Sequence, residues 1–291
     1  MMESSGAESG IGEDRKGSGE DAPRDSLLEA ARRRLLEERT AGGPWVGELS
    51  SSALSTATAV GALELLRRGG ADAGPLVEGG LAWLRAHANP DGGFGDTVDS
   101  PSNLSTTTLA WAALGMFPRD RVFARAEAWL AERVGALDAP SIAAAIGRRY
   151  GEDRTFAVPI LTFCALAGRF GEGRAAWRSI PRLPFELAAL PRGWFPRLGL
   201  TVVSYALPAL IAIGQAQHRR APSRNPVARL VRAAAAGRTL RLLEAIQPAS
   251  GGFLEAAPLT SFVAMSLAGS GLADHPTARR AARFLAETVR P

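Results

Sequence analysis

The feature that most restricts how this chain can fold is a short pattern that returns at one fixed spacing. Around Leu243 it reads leucine, three residues, Gln247, three residues, Gly251, one residue, Phe253. The same offsets join Leu84, Ala88, Gly92 and Phe94, and again Leu35, Arg39, Gly43 and Trp45. Each copy begins in an amphipathic stretch with helical spacing and ends in a Gly-x-aromatic turn. The fullest copy runs from Leu242 to Leu267: a helix ending near Ile246, a Pro and Gly turn, a polar Thr260-Ser261 cap and a second apolar helix. Self-similarity of this kind means a stack of like units, each burying its apolar face on its neighbours. The expected fold is all-α, built from repeated helix hairpins, with Gly43-Pro-Trp45, Gly92-Gly-Phe94 and Gly251-Gly-Phe253 in equivalent inter-helix turns.

In chain order, residues 1–25 carry seven acids, Gly and Ser, and almost no apolar periodicity. They read as a disordered acidic leader, and residues 26–291 as one repeat domain. Helices are expected over about 27–39, 53–68, 75–88, 125–134, 141–149, 156–167 and 202–215, with a long loop at 89–108. Trp129-Leu130 resembles another copy of the template, but the segment after it has no Gly-x-aromatic turn. Prolines at 181, 184, 191, 196 and 208 punctuate the next stretch, which therefore cannot be one regular helix.

Composition excludes several classes. With 46% hydrophobic residues the chain can bury a substantial core. Its longest apolar run, Ala206 to Gly214, contains Pro208 and falls short of the ~20 residues a membrane-spanning helix needs. Cys164 is the single cysteine, so no internal disulfide can form. No charged, then apolar, then small-residue leader precedes the first helix, and a cytoplasmic location is expected. All but one of the 34 basic residues are arginine, without interleaved stacking aromatics, and no nucleic-acid partner is expected.

Candidate chemistry is sparse. Asp96-x-x-Asp99 stands before Leu109 and is spaced so that the pair could share a proton or a metal. An acid also follows the aromatic at Glu48 and Glu255, so the position is expected to serve the turn by satisfying free helix N–H groups. His87, His218 and His275 each lack a Cys or Asp at ligand spacing, so no metal is expected and no cofactor is called for.

A more specific resemblance lies in the middle of the chain. Ile180-Pro through Leu190-Pro-Arg-Gly-Trp-Phe, then Val203-Ser-Tyr-Ala, the Pro208-Ala-Leu-Ile-Ala-Ile helix and Arg224-Asn-Pro resemble the N-terminal half of squalene-hopene cyclases. The Gly-x-aromatic turns resemble that family's repeated QW motif, with Trp45, Gly92, Phe94, Gln247, Gly251 and Phe253 as its structural residues here. The resemblance covers roughly residues 27–291 and implies an α/α-barrel, or toroid, of inner and outer helices. Protein prenyltransferase β-subunits share that barrel, but their zinc site needs Asp, Cys and His ligands.

What the resemblance implies about activity is a triterpene cyclase, isomerase in type, whose polyene is protonated by a D-x-D-D acid in a C-terminal barrel. No D-x-D-D occurs in this sequence. Phe284-Leu285 starts a further copy whose turn would fall beyond Pro291, so the chain is expected to be a front half or a stand-alone remnant of the non-catalytic barrel. An isoprenoid or triterpene lipid is the expected partner, together with a C-terminal cyclase barrel on another chain or a longer form. Aromatic walls stabilise carbocations. Of Trp45, Phe94, Trp111, Trp194, Phe195, Tyr205, Phe253 and Phe262, those at 194, 195 and 205 stand outside the repeats and are the candidates for a lipid pocket. The apolar stretch there, beside Arg192, Arg197, Arg219 and Arg220, also suits a surface that dips into one leaflet, on the inner membrane. The alternative is a non-enzymatic isoprenoid-binding or scaffold protein on the same barrel.

Overall fold

Eleven α-helices, joined by turns and short 3-10 segments, account for the described residues, and no β-strand occurs among them. The computed structural model describes residues 21–43, 45, 50–151, 154–191, 193 and 206–290. It divides into two units, Met1–Leu49 and Ser50–Pro291. The first holds α1 (Asp21–Glu37), which starts inside the stretch read as a leader. The turn after it forms an isolated antiparallel bridge between Arg39 and Trp45.

The second unit contains α2 (Ala53–Arg68), α3 (Gly74–Ala86), α4 (Leu104–Leu114), α5 (Arg121–Val134), α6 (Ala139–Tyr150) and α7 (Arg154–Leu166). It continues with α8 (Leu207–Arg220), α9 (Pro226–Ala245), α10 (Ala257–Gly269) and α11 (Pro276–Glu287). Two kinds of helix occur. α4 is buried from Ser105 to Leu114, and α10 is buried along most of its length. By contrast α3, α5 and α11 bury one stripe each, such as Phe123, Ala126, Trp129 and Leu130 on α5. Buried helices form the inner layer: α2 packs on α4, α4 on α7, α7 on α10, and α10 returns to α2. That last contact joins elements about 200 residues apart and closes the circuit, which gives the α/α-barrel type of fold.

Local chemistry explains most helix ends. Asn103 accepts the Thr106 N–H at 3.0 Å, Asp120 that of Phe123 at 2.8 Å, and Asp138 that of Ser141 at 2.8 Å. Asn103 starts α4 five residues before Leu109, so the loop expected at 89–108 ends earlier and the threonines at 106–108 are helical. Thr108 returns its hydroxyl to the Leu104 carbonyl at 2.6 Å, which lets a polar residue lie in a buried helix. Thr260 is likewise the fourth residue of α10 and not a cap before it. Pro208 sits in the first turn of α8, where its missing N–H costs nothing. That helix runs on to Arg220, beyond the expected end at Gln215. Before it lie two short 3-10 turns, Gly173–Trp177 and Phe185–Ala189, the second inside the proline-punctuated stretch.

The three Gly-x-aromatic turns share one backbone form. Gly43, Gly92 and Gly251 have φ of 97°, 93° and 90°, and each donates its N–H to the carbonyl three residues earlier, at 2.9, 2.8 and 3.0 Å. This is a conformation glycine adopts without steric cost. A Cβ on Gly251 would stand 2.4 Å from the Arg280 carbonyl oxygen. Gly251→Ala is therefore expected to cost about 2 kcal/mol or more, strain and clash together. Gly271→Ala, also at positive φ (80°) but facing open space, is expected to cost about 1 kcal/mol. Equal shifts of the two variants in urea unfolding would contradict the close-approach argument.

Candidate functional site

The second and third turns share their chemistry as well as the glycine conformation. Phe94 and Phe253 are 0% and 2% exposed, and burying such a ring contributes roughly 1.5–3 kcal/mol. Each donates its N–H to the hydroxyl of the fourth residue in the following inner helix, Thr107 and Thr260, both at 2.9 Å. Behind the turn, Gly93 lies against the Trp129 ring and Gly252 against Phe284. Trp45 differs: it is half exposed, donates Nε1–H to the Leu35 carbonyl at 2.6 Å, and lies beneath the Arg39 guanidinium.

Gln247 connects three groups. Its Nε2 donates to the carbonyls of Gly251 at 2.8 Å and Thr277 at 3.1 Å, and its Oε1 accepts from Arg280 Nε at 2.9 Å. It bridges the turn to the first turn of α11. Where Ala88 replaces it, Arg125 on α5 reaches the carbonyls of Asn89 and Pro90 instead. Gln247→Ala is expected to destabilise by about 1 kcal/mol, since partly buried acceptors lose their donor. An unchanged melting curve would remove the bridging role.

The acids take structural partners. Asp91 accepts from Ser102 Oγ at 2.7 Å, Gly93 N at 3.0 Å and Trp129 Nε1 at 2.8 Å. Asp96 accepts from Asn103 Nδ2 at 2.8 Å and from the Thr106 hydroxyl, holding the start of α4. Asp99 is exposed. Glu255 accepts from Ser250 Oγ at 2.6 Å, while Glu48 lies outside the described residues. Asp96 and Glu255 therefore both serve their turns, by different bonds. No group of three His, Cys, Asp or Glu side chains able to hold a metal occurs among the described residues.

Among the described residues, every carboxyl with a shifted pKa moves down. For Asp91, partial burial pushes upward, but the Ser102, Gly93 and Trp129 donors and the nearby Arg133 outweigh it. For Glu64, on α2 and 2% exposed, burial is outweighed by Arg67 and Arg68, each hydrogen-bonded to it at 2.7 Å. Asp120 and Asp138 are lowered by the helix N–H groups they cap; at Asp120 these and Arg85 first overcome burial. These groups are ionised at neutral pH and accept hydrogen bonds; they do not donate protons.

The histidines have separate roles. His87 stacks on Trp83 with ring centroids 4.1 Å apart, and His275 accepts the Thr277 N–H at 3.2 Å as the cap of α11. His218, in the last turn of α8, is held below its ordinary pKa, first by burial and then by Arg232 and Arg219. It lines a cleft of about 350 Å³ between α8 and α9 that the sequence did not reveal. Gln215, a lone amide in the apolar run Ile211-Ala-Ile-Gly-Gln215, was the available signal. Trp194, Phe195, Tyr205, Arg192 and Arg197 lie outside the described residues. Trp111 and Phe262 are buried packing residues.

Residues 28–145 match the squalene-hopene cyclase N-terminal domain. The match covers less than half of the chain. The match takes in the first two Gly-x-aromatic turns, and the third repeats the geometry of the second far outside it. No curated protein matches the chain. No helix among the described residues is long and apolar enough to cross a membrane.

The lowered pKa of Glu64 fixes a sign. A group whose folded pKa lies below its ordinary 4.5 contributes stability that is complete above that pH and is lost as pH falls through the folded value. Melting temperatures from pH 7 down to pH 3 are expected to fall more steeply below 4.5 in the wild type than in Glu64→Gln. Parallel curves would exclude Glu64 as a contributor.

Proposed function

We propose that the chain is the non-catalytic N-terminal barrel of a triterpene cyclase of squalene-hopene type, with an isoprenoid or triterpene lipid as its partner. The observation that carries this reading is the family match joined to the electrostatics of the acids. Protonating an alkene requires a neutral carboxylic acid in a dry cavity, with the developing cation stabilised nearby. The carboxyl groups with shifted pKa here are instead held as anions by arginines and N–H donors. The proton donor therefore belongs to a C-terminal barrel, on another chain or a longer form. Trp194, Phe195 and Tyr205 are the residues we assign to a lipid pocket or its entrance, and the apolar stretch around them to peripheral contact with the inner membrane.

A second reading, a lipid-binding scaffold without enzymatic activity, is favoured by one feature: among the described residues the circuit of buried helices closes from α10 onto α2. Mixing the purified chain with a D-x-D-D-bearing C-terminal cyclase barrel separates the two. Under the first reading squalene is converted only in the mixture; under the second the added chain changes nothing.

The isolated chain is expected to give no cyclic product from squalene, with detergent or membranes present, as followed by gas chromatography. Cyclic product that disappears in Asp96→Asn or Asp99→Asn would overturn both the assignment of the acid to another barrel and the structural role of those aspartates.

A further inference from the structure

The cleft between α8 and α9 combines positive charge with an unsatisfied buried acceptor. Gln215 and His218 on α8 and Ala233 and Ala236 on α9 line it, with Arg219 and Arg229 from the two helices. Its volume of about 350 Å³ falls within the range of small-ligand sites, about 300–1,000 Å³. Arg174 donates to the Pro222 carbonyl of the connecting loop at 2.6 Å.

The orientation of Gln215 is determined by its neighbours. Its side chain is 0% exposed, and its Nε2 donates to the Ala236 carbonyl at 2.9 Å and to Thr239 Oγ1 at 3.0 Å. Thr239 Oγ1 in turn donates to the Ala235 or Ala236 carbonyl, so it accepts from the amide. Rotating the amide would set oxygen against the Ala236 carbonyl oxygen, so Oε1 must be the free atom, and it has no hydrogen-bond partner among the described residues. His218 Nδ1 is buried and equally without a partner. A buried acceptor left open in this way carries a cost that a ligand donor would remove. Arg219 and Arg229 are exposed, and neither forms an ion pair among the described residues. A fitting ligand must bring negative charge for the arginines and an O–H for Gln215. An ionised carboxylate or a sulfate supplies the charge without the proton. A phosphate monoanion supplies both from one centre, because its second ionisation lies near pH 6.

We propose that this cleft binds a phosphate group, with Arg219 and Arg229 pairing its charged oxygens and Gln215 Oε1 accepting its P–OH. The site is independent of the cyclase reading. Calorimetric titration of the full chain at pH 6 with inorganic phosphate, phenyl phosphate and sulfate tests it. Sedimentation with phosphatidylcholine vesicles, with and without phosphatidate, distinguishes a lipid headgroup from a soluble phosphate. Saturable binding of phosphate at least about tenfold tighter than sulfate, weakened at least about tenfold in the Arg219→Gln/Arg229→Gln double variant at unchanged melting temperature, supports the soluble source. Arginine-dependent binding confined to phosphatidate vesicles supports the headgroup. In a folded Gln215→Met variant, the preference for phosphate over sulfate is expected to disappear. Equal binding of phosphate and sulfate by the wild type, no saturable binding in either arm, or a double variant that binds as the wild type does would overturn the proposal.

Discussion

The backbone of α11 runs so close to Gly251 that a single methyl group there would meet the Arg280 carbonyl oxygen, and α5 stands in the same relation to Gly92. The rest of the repeat is arranged around that approach. The arginine at the contact reaches back to the turn, Arg280 to Gln247 Oε1 and the Glu244 carbonyl, Arg125 to the Asn89 and Pro90 carbonyls. Four residues on, one helical turn, Trp129 or Phe284 covers the second glycine. On the other side the Phe94 or Phe253 N–H is bonded to a threonine of the next inner helix. One turn thus ties the outer helix before it, the inner helix after it and the outer helix beyond. Hairpins stacked by apolar burial alone would have no such fixed register, since burial is non-directional.

Those turns were legible because glycine at positive φ and an aromatic two residues on must be written into the sequence wherever the geometry recurs. Ring closure was not. Pairing of α10 with α2 depends on shape across some 200 residues, and helices buried on all sides lose the amphipathic period that marks helices. The same loss explains the misplaced start of α4: its threonines resemble a loop until Asn103 is seen to cap the helix and Thr108 to bond back to Leu104. For α8, a charged end followed by Pro222 reads as a loop. In the fold that end is helical, with Arg220 donating to the Gly269 carbonyl at 2.5 Å, the end of α10.

The cleft between α8 and α9 shows a different limit. Gln215 and Arg229 are fourteen positions apart in sequence and share a wall only because the hairpin folds back on itself. An amide in an apolar helix signals a buried hydrogen bond. Which of its two atoms is satisfied depends on the facing helix, and here Ala236 and Thr239 satisfy only the nitrogen.

Arginine performs much of the joining in this molecule. Arg169 and Arg68 donate to the Gly115 and Met116 carbonyls at the end of α4, Arg220 to the end of α10, and Arg67 and Arg68 enclose Glu64. Guanidinium groups suit this work because they stay charged and present several donors in a fixed plane. They also set an electrostatic bias. A carboxyl beside such groups gives up its proton, whereas an acid that protonates an alkene must be kept neutral by apolar surroundings or by a second carboxylate. Opposite environments are required for the two tasks, and the arginine pairs that hold Glu64 ionised within this barrel work against the acid chemistry of cyclisation. Under the proposed function, a proton donor in a separate barrel resolves that conflict: one unit can be held together by ionised pairs while the other keeps a carboxylic acid dry and neutral.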